Sequence, residues 1–126
     1  MKRKSGGRRV ACPVARAIDV VGDGWSLLIV RDAFDGVSRF GDFVTSLGIS
    51  RNILTDRLRA LEADGVLQAV PTTQGAAFRD YVLTPAGREL FPIVLALRLW
   101  GEAHLFAAGE KHSELLERSS GKPMAV

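Results

Sequence analysis

The fold of this chain is decided by residues 48–65, whose sequence is GISRNILTDRLRALEADG. Ser50 is a favoured N-cap residue and Gly65 a favoured C-terminal stop, so the segment predicts a helix of about four turns over 50–64. At about 100° per residue, one face of that helix is apolar and consists of Ile53, Leu54, Leu58 and Leu61. The opposite face carries small, hydrogen-bonding and cationic side chains, namely Asn52, Thr55, Asp56, Arg59 and Ala63. Such a face suits a helix that lies against base edges and phosphates, with an ordinary surface helix as the alternative.

A second, shorter helix is predicted directly before it, over residues 38–47. Its inward side is expected to consist of Phe40, Phe43, Val44 and Leu47. Two short helices joined by a turn that contains glycine form a helix-turn-helix.

A β-hairpin is predicted directly after it. The β-like runs 66–70 and 78–83 are separated by turn-rich residues 71–77, a loop too long for a two-residue turn. A helix-turn-helix followed by a hairpin is a winged helix. We expect Arg79 to contact phosphate from the wing, unless it pairs with Asp80 or Glu62.

Two helices precede the motif and one follows it. The first is predicted over 13–21 and the second over 25–34, with Asp23 as the cap of the second. The apolar face of the second is expected to be Trp25, Leu28, Ile29 and Ala33. The last helix begins at Thr84-Pro85, and Pro92 should kink it or split it into two.

The apolar residues of the last helix extend too far around it for one protomer to cover. A helix that is apolar on nearly all sides must be buried on nearly all sides, and a second copy is the simplest cover in so small a domain. The predicted fold is therefore α+β, mainly α: a winged helix-turn-helix with flanking dimerisation helices, over residues 12–108.

Composition and charge fit a small regulator. A chain of 126 residues is one domain, and its formal charge of +3 is by itself a weak argument for nucleic-acid binding. The charge is concentrated in residues 1–11, where Lys2, Arg3, Lys4, Arg8 and Arg9 predict a flexible basic arm. That arm either enters a minor groove or solubilises the chain. Residues 109–126 predict a polar tail that extends as a helix and then frays, to which we assign no function.

Several classes of function lack a sequence signal. No apolar run approaches the roughly 20 residues that cross a bilayer, and no apolar stretch follows the basic N-terminus as in a secretion signal. A single cysteine excludes an internal disulfide, and no Cys/His cluster, phosphate loop or nucleophile motif occurs. We therefore expect a cytoplasmic protein without catalytic residues, metal or cofactor.

Motifs spread over roughly residues 12–106 give the chain a specific resemblance. They are Cys12-Pro13-Val14, Gly22-Asp23-Gly24-Trp25, Leu28-Ile29-Val30-Arg31, Ser38-Arg39-Phe40, Leu47-Gly48-Ile49-Ser50, LTDRL at 54–58, LEADG at 61–65, Tyr81-Val82-Leu83-Thr84, Gly87 and Leu99-Trp100-Gly101. Their order and spacing resemble the HxlR-type winged-helix transcriptional regulators, relatives of the MarR regulators. The resemblance implies a homodimer, built from the first and last helices, that binds operator DNA with two-fold symmetry.

The wing departs from the family pattern in two places. Gln68 stands near a position where the family usually has a basic residue. In residues 75–79, GAAFR, the arginine is kept but the usual proline before it is gone. These departures predict a more mobile wing that contributes less affinity.

The predicted DNA-binding residues are Arg39, Ser50, Arg51, Asn52, Thr55, Asp56, Arg59 and Arg79. Bases are expected to be met by Arg51, Asn52 and Thr55, and phosphates by Arg39, Arg59 and Arg79. Asp56 either accepts from a cytosine amino group or orients an arginine, and Arg57 is interpreted as a structural ion-pair partner. The predicted dimer interface consists of Val14, Ile18, Val94, Leu97, Trp100 and Leu105.

Cys12 is a candidate redox sensor. It occupies the expected N-cap of the first helix, where free amides and the helix dipole stabilise a thiolate. Several members of the family that this chain resembles use the matching cysteine to sense oxidants or electrophiles. The alternative is a small buried hydrophobe in the dimer seam.

Two other functions stay open at this stage. One is a regulator gated by a small apolar ligand, with Trp25, Phe34, Phe91 and Trp100 around it, although aromatics at helical spacing are usually core. The other is a winged helix that binds proteins. Repression of transcription is the default expectation for a small dimer that has no added activation domain.

Overall fold

The computed structural model describes residues 11–72 and 75–123, with the backbone alone for 75–78. The elements in chain order are α1 (Pro13–Val21), α2 (Gly24–Phe34), α3 (Phe40–Leu47), α4 (Arg51–Ala63), β1 (Leu67–Thr72), β2 (Gly75–Leu83), α5 (Pro85–Arg88) and α6 (Phe91–His104). This order confirms the mainly helical winged helix-turn-helix. The chain divides into two compact units, residues 1–94 and 95–126. Most of the predicted basic arm, residues 1–10, lies outside the described residues.

Side-chain caps begin α1, α2, α4 and α5 at the residues that the sequence predicts. The helix predicted over 38–47 begins only at Phe40 and has no side-chain cap. Cys12 Sγ accepts from Ala15 N at 3.4 Å, and Asp23 Oδ1 accepts from Ser26 N at 2.9 Å. Ser50 Oγ accepts from Ile53 N at 3.2 Å, and Thr84 Oγ1 accepts from Gly87 N at 3.0 Å. Each cap satisfies an amide that the first helical turn leaves without a partner, which is why these residue types mark the boundaries well.

The core lies within the first unit and is centred on the two helices of the motif. Its largest fully buried side chains include Ile29, Phe43, Leu54, Leu58 and Leu61. Leu67 at the start of the wing is also buried. The apolar side of α4 and the inward side of α3 therefore pack on the same cluster, together with α2.

Two residues predicted to face the core are exposed, namely Leu28 and Ile53. In α2 the buried positions are Ser26, Ile29, Val30 and Asp32. The first three follow the i, i+3, i+4 pattern of one helix face, which puts Leu28 on another side. Ser26 is tolerated inside because its hydroxyl donates to Asp23 Oδ2 at 2.6 Å. In α4, Ile53 lies at the edge of the apolar face.

The wing is longer than predicted. β1 and β2 pair antiparallel with Leu67 opposite Leu83 and Pro71 opposite Arg79. The turn predicted over 71–77 was wrong, because Pro71 and Thr72 belong to β1 and β2 begins at Gly75. Proline is compatible here since both strands of a two-stranded sheet are edges, where a missing N–H breaks no central ladder.

The last helix is split into two, as predicted from the presence of Pro92. α5 ends at Arg88 and α6 begins at Phe91, so that Pro92 falls in the first turn of α6. A proline costs little there, because the first-turn amides have no partner within the helix.

The prediction of a helix in the tail is wrong. In the described part of the tail, residues 109–123, the chain forms turns, and Gly109 and Gly121 have φ values of 80° and 70°. Such left-handed residues end helices. Arg98 of α6 donates to Ser113 Oγ at 3.1 Å and to the Ser113 carbonyl oxygen, which holds the tail within the second unit.

Among the described residues, no helix has the length and apolar character to span a membrane. In that same part of the chain, no three His, Cys, Asp or Glu residues are grouped as metal ligands.

Candidate nucleic-acid interface

The face of α4 opposite the core is open to solvent. Arg51, Asn52, Asp56 and Arg59 are exposed, whereas Leu54, Leu58 and Leu61 on the other side are buried. Thr55 is half-buried, and its hydroxyl donates to the Arg51 carbonyl oxygen at 2.8 Å. The structure therefore brings the predicted base-contacting residues together on one exposed helical surface.

The N-terminal end of α4 is held by neighbouring groups. The Ser50 hydroxyl is used as the helix cap, so its role in the free protein is structural. The guanidinium carbon of Arg51 lies 5.5 Å from the ring centroid of Phe40, the first residue of α3. Gly48 has a φ of 64°, a left-handed conformation that glycine adopts easily, and it ends α3 two residues before the cap.

Arg57 anchors α4 to the residue before α2 through an ion pair, the structural role that the sequence predicts for it. Its guanidinium lies 3.6 Å from Asp23 Oδ2 and 3.4 Å from Asp56 Oδ2, and only 18% of its side chain is exposed. Burial by itself raises the pKa of Asp23. Hydrogen bonds from the Ser26 side chain and backbone, together with the Arg57 charge, outweigh burial and lower that pKa below its usual value. Asp23 is therefore a charged partner for α4 at neutral pH.

The contact between Asp56 and Arg57 bears on the predicted role of Asp56. In the free protein its carboxylate lies beside an arginine, which matches the second of the two roles predicted for it. The carboxylate remains largely exposed.

The wing is tied to the segment that leads into α3. Asp80 Oδ1 accepts from Ser38 Oγ at 3.2 Å and lies 3.5 Å from Arg39 Nε. The backbone adds a hydrogen bond from Tyr81 N to the Ser38 carbonyl oxygen at 2.7 Å. The sequence suggests Asp80 only as a partner for Arg79, and its contacts with Arg39 and Ser38 are not predicted. The only signal was its place next to Arg79, and the partners lie about 40 residues away in sequence.

Arg79 is exposed on β2. Successive side chains of a strand point to opposite faces, so Arg79 points away from the face on which Asp80 meets Ser38. Arg39 keeps about half of its side chain exposed despite the contact with Asp80. Both arginines thus remain accessible to a phosphate.

Cys12 is half-buried at the N-terminus of α1. Its sulfur accepts a backbone hydrogen bond from the first turn, and Pro13 follows it directly. This is the N-cap position that the sequence predicted.

Five of the six residues predicted for the dimer interface are exposed. On α1 they are Val14 and Ile18, and in the second unit they are Leu97, Trp100 and Leu105. Val94 differs from these five, because it is partly buried and packs on the core of its own protomer. The sequence list omitted Ile93, Leu99 and Phe106, which are also exposed.

The aromatic residues considered for a ligand pocket are mostly packed. Phe34 and Phe91 meet edge to face with centroids 5.3 Å apart, and Trp25 packs against the core. Trp100 is exposed and lies against His104 at 5.0 Å. These contacts favour the core interpretation for Trp25, Phe34 and Phe91.

The fold and the exposed face of α4 define the class of winged helix-turn-helix proteins. The family described as HxlR-like helix-turn-helix matches residues 20–108. The chain belongs to this family.

Curated relatives agree with that assignment. The chain is 45% identical over 92 residues to the HTH-type transcriptional regulator Rv3095 of Mycobacterium tuberculosis, covering 73% of this chain and 58% of the relative. It is 38% identical over 94 residues to the HTH-type transcriptional regulator YybR of Bacillus subtilis, covering 74% and 75%. The chain therefore spans less than two thirds of the mycobacterial relative. Both relatives are described as HTH-type transcriptional regulators.

Solved structures show the same fold. PA1607, described as a transcription factor, has a TM-score of 0.85 at 53% identity, covering 94% of this chain and 82% of that one. The redox regulator HypR in its reduced form has a TM-score of 0.69 at 37% identity, covering 75% and 94%.

Proposed function

We propose that this protein is a sequence-specific DNA-binding transcriptional regulator that acts as a homodimer on a pseudo-palindromic operator. The observation that carries the proposal is the exposed face of α4 with Arg51, Asn52 and Arg59. The opposite side of the helix is buried at Leu54, Leu58 and Leu61. A buried apolar side fixes the helix to the domain, and an open polar side leaves it free to enter a groove.

Each subunit places the N-terminal half of α4 in a major groove. Arg51, Asn52 and Thr55 lie in that half and contact base edges. Arg39, Arg59 and Arg79 contact phosphates, which position the protein without specifying sequence. Two such helices, related by a two-fold axis, bind half-sites about one helical turn apart or a multiple of it.

The dimer forms through the exposed apolar residues of α1 and of the second unit. Without a partner subunit, large apolar side chains would stay in water, namely those of Val14, Ile18, Leu97 and Trp100. A two-fold interface uses the same surface on both subunits and produces the symmetry that a palindromic operator requires. Because such a dimer blocks polymerase most simply by occupying the promoter, we propose repression, in the cytoplasm where the operator lies.

Asn52→Ala and Arg79→Ala should affect DNA binding differently. Asn52→Ala removes a base contact and should cost discrimination between operator and unrelated DNA by about 5- to 150-fold. Arg79→Ala removes a phosphate contact, so it should weaken both DNAs about equally and reduce the salt slope by about 1. The measurement is a binding titration at several salt concentrations, on a duplex that the wild-type protein selects from a randomised library and on an unrelated duplex.

Lys111→Ala is the matched control, because it removes one exposed charge from the tail. It should leave operator binding unchanged. Wild-type binding by both Asn52→Ala and Arg79→Ala would show that the placement of α4 and the wing on DNA is wrong.

A second proposal concerns the signal: Cys12 responds to oxidants. Its sulfur accepts a hydrogen bond from the Ala15 amide in the first turn of α1 and is only half-buried, so an oxidant can reach it. The neighbour HypR is described as a redox regulator. With a peroxide, the thiolate sulfur bonds to one oxygen as the O–O bond breaks, leaving a sulfenic acid and a hydroxide that takes up a proton. A second thiol, from a small molecule or from the partner's Cys12, then displaces water and forms a disulfide.

Cys12→Ser should remove the response of operator binding to peroxide while keeping binding under reductant. Serine preserves a capping oxygen, so α1 should still form. The measurement is a gel-shift titration before and after peroxide treatment, together with the intact mass of the modified protein. An oxidant response that persists in Cys12→Ser would refute the sensor. If Cys12→Ser instead weakens dimerisation under reductant and shows no change with oxidant, Cys12 is a packing residue of the dimer seam.

A further inference from the structure

The contact between Phe40 and Arg51 joins the first residues of the two helices of the motif. Arg51 Cζ stands 5.5 Å from the Phe40 ring centroid, within the range of a cation–π interaction. Phe40 itself is partly buried and packs against the core cluster. The ring is therefore a fixed platform beneath a side chain that is exposed.

The backbone of Arg51 is held on both sides as well. The Ser50 cap precedes it, and its carbonyl oxygen accepts from the Thr55 hydroxyl at 2.8 Å. Ile49, between the helices, is buried. A free arginine side chain samples many rotamers and loses that freedom when it binds. Arg51 has lost part of it before any DNA arrives.

A cation–π contact leaves the hydrogen-bond donors of the guanidinium available. The ring attracts the positive charge of the group and uses none of its five N–H donors. Two parallel N–H donors match the O6 and N7 acceptors of guanine in the major groove. The contact with Phe40 thus restricts the position of the guanidinium without using its donors.

We propose that Phe40 is a positioning residue for Arg51, and that Arg51 so positioned recognises a guanine in each operator half-site. This inference rests on the proposed function, because it requires α4 to lie in the major groove. It adds a specificity residue outside α4 and the kind of base that the operator presents to Arg51.

The experiment is selection of duplexes from a randomised library by the full chain and its variants, followed by titration on the selected duplex and its single-base-pair substitutions. For the wild type, replacing one G·C pair per half-site should cost about 5- to 150-fold in affinity, the range for a bidentate base contact. Phe40→Leu should reduce that preference about two- to five-fold, the range of an exposed cation–π contact. Phe40→Tyr should restore it, because tyrosine keeps the ring.

Two further variants separate positioning from a general structural role. In an Arg51→Ala background, Phe40→Leu should cause no additional loss of the guanine preference. Arg51→Lys keeps the charge but lacks the planar fork, so it should lose the guanine preference while keeping the salt slope. Because Arg51 is exposed, this variant stays informative even if Phe40→Leu folds poorly.

The inference is overturned if Phe40→Leu lowers affinity equally at every base pair, or acts equally in the Arg51→Ala background. It is also overturned if Arg51→Ala weakens all DNA alike and lowers the salt slope, which would make Arg51 a phosphate contact. If Asn52→Ala changes the base preference of the protein but Arg51→Ala does not, this inference is wrong and the proposed function stands. If neither variant changes the base preference, both the inference and the proposed function are wrong.

Discussion

Leu97→Asp is expected to break the homodimer and to lower operator affinity by roughly 100-fold or more, because a monomer holds only one half-site. Leu97 is 52% exposed on α6 in one protomer, so aspartate meets no steric obstacle there. In a dimer that buries this face, each subunit would bring a carboxylate into apolar surroundings without a partner. Burying an unpaired charge costs several kcal/mol per site, which is ample to separate the subunits.

The measurement pairs sedimentation velocity with a gel-shift titration, and the chain supplies a matched control. Leu116 is 50% exposed and lies in the tail, outside the proposed interface. Leu116→Asp is therefore the same substitution at nearly the same exposure, and it should leave the oligomeric state and the operator affinity unchanged. The interface assignment is wrong if Leu97→Asp stays dimeric, or if Leu116→Asp dissociates the protein equally.

The helix boundaries and the apolar side of α4 could be predicted from the sequence, because they depend on local chemistry. A cap such as Ser50 or Thr84 meets an amide three residues away, so its effect is contained in a short window. The same holds for Pro92, which cannot sit inside a helix and marks the start of α6. Periodicity located Leu54, Leu58 and Leu61 on the buried face for the same reason.

The wrong predictions concern features that depend on how several helices and strands pack together. Leu28 satisfies the apolar pattern of α2 as well as Val30 does, yet only Val30 is buried. Which of them turns inward depends on the rotation of α2 against α3, α4 and the wing. The wing was predicted too short because Pro71 is a strong turn signal, and its tolerance depends on the sheet having only two strands.

The links within the candidate site could not be predicted for a similar reason. Asp80 meets Ser38 and Arg39 only after the hairpin returns to the segment before α3. Phe40 meets Arg51 only once the turn at Gly48 has set the two helices. The sequence supplied the surface residues of α4, and tertiary packing supplied the groups that hold them.

Phe43 is the residue whose truncation should cost the most stability. It is the largest fully buried side chain among the described residues, at the centre of α3. Phe43→Ala leaves a cavity in a core shared with α2 and α4, and such changes cost about 3–5 kcal/mol. Since domains are typically stable by about 5–15 kcal/mol, a large part of the total is lost. For a chain of this size the midpoint temperature should fall by roughly 10–25 °C.

Urea unfolding followed by circular dichroism measures the loss, with Leu116→Ala as the control at an exposed apolar residue outside the proposed interface. Unfolding of a dimer depends on concentration, so all proteins are compared at one concentration and again after tenfold dilution. Leu116→Ala should cost less than about 1 kcal/mol, the usual range for surface substitutions. Phe43→Ala should also lose operator binding at temperatures where the wild type is folded, because α3 and α4 share this core. Equal effects of the two substitutions would mean that α4 is held mainly by other contacts, among which the Arg57–Asp23 ion pair is the first to test.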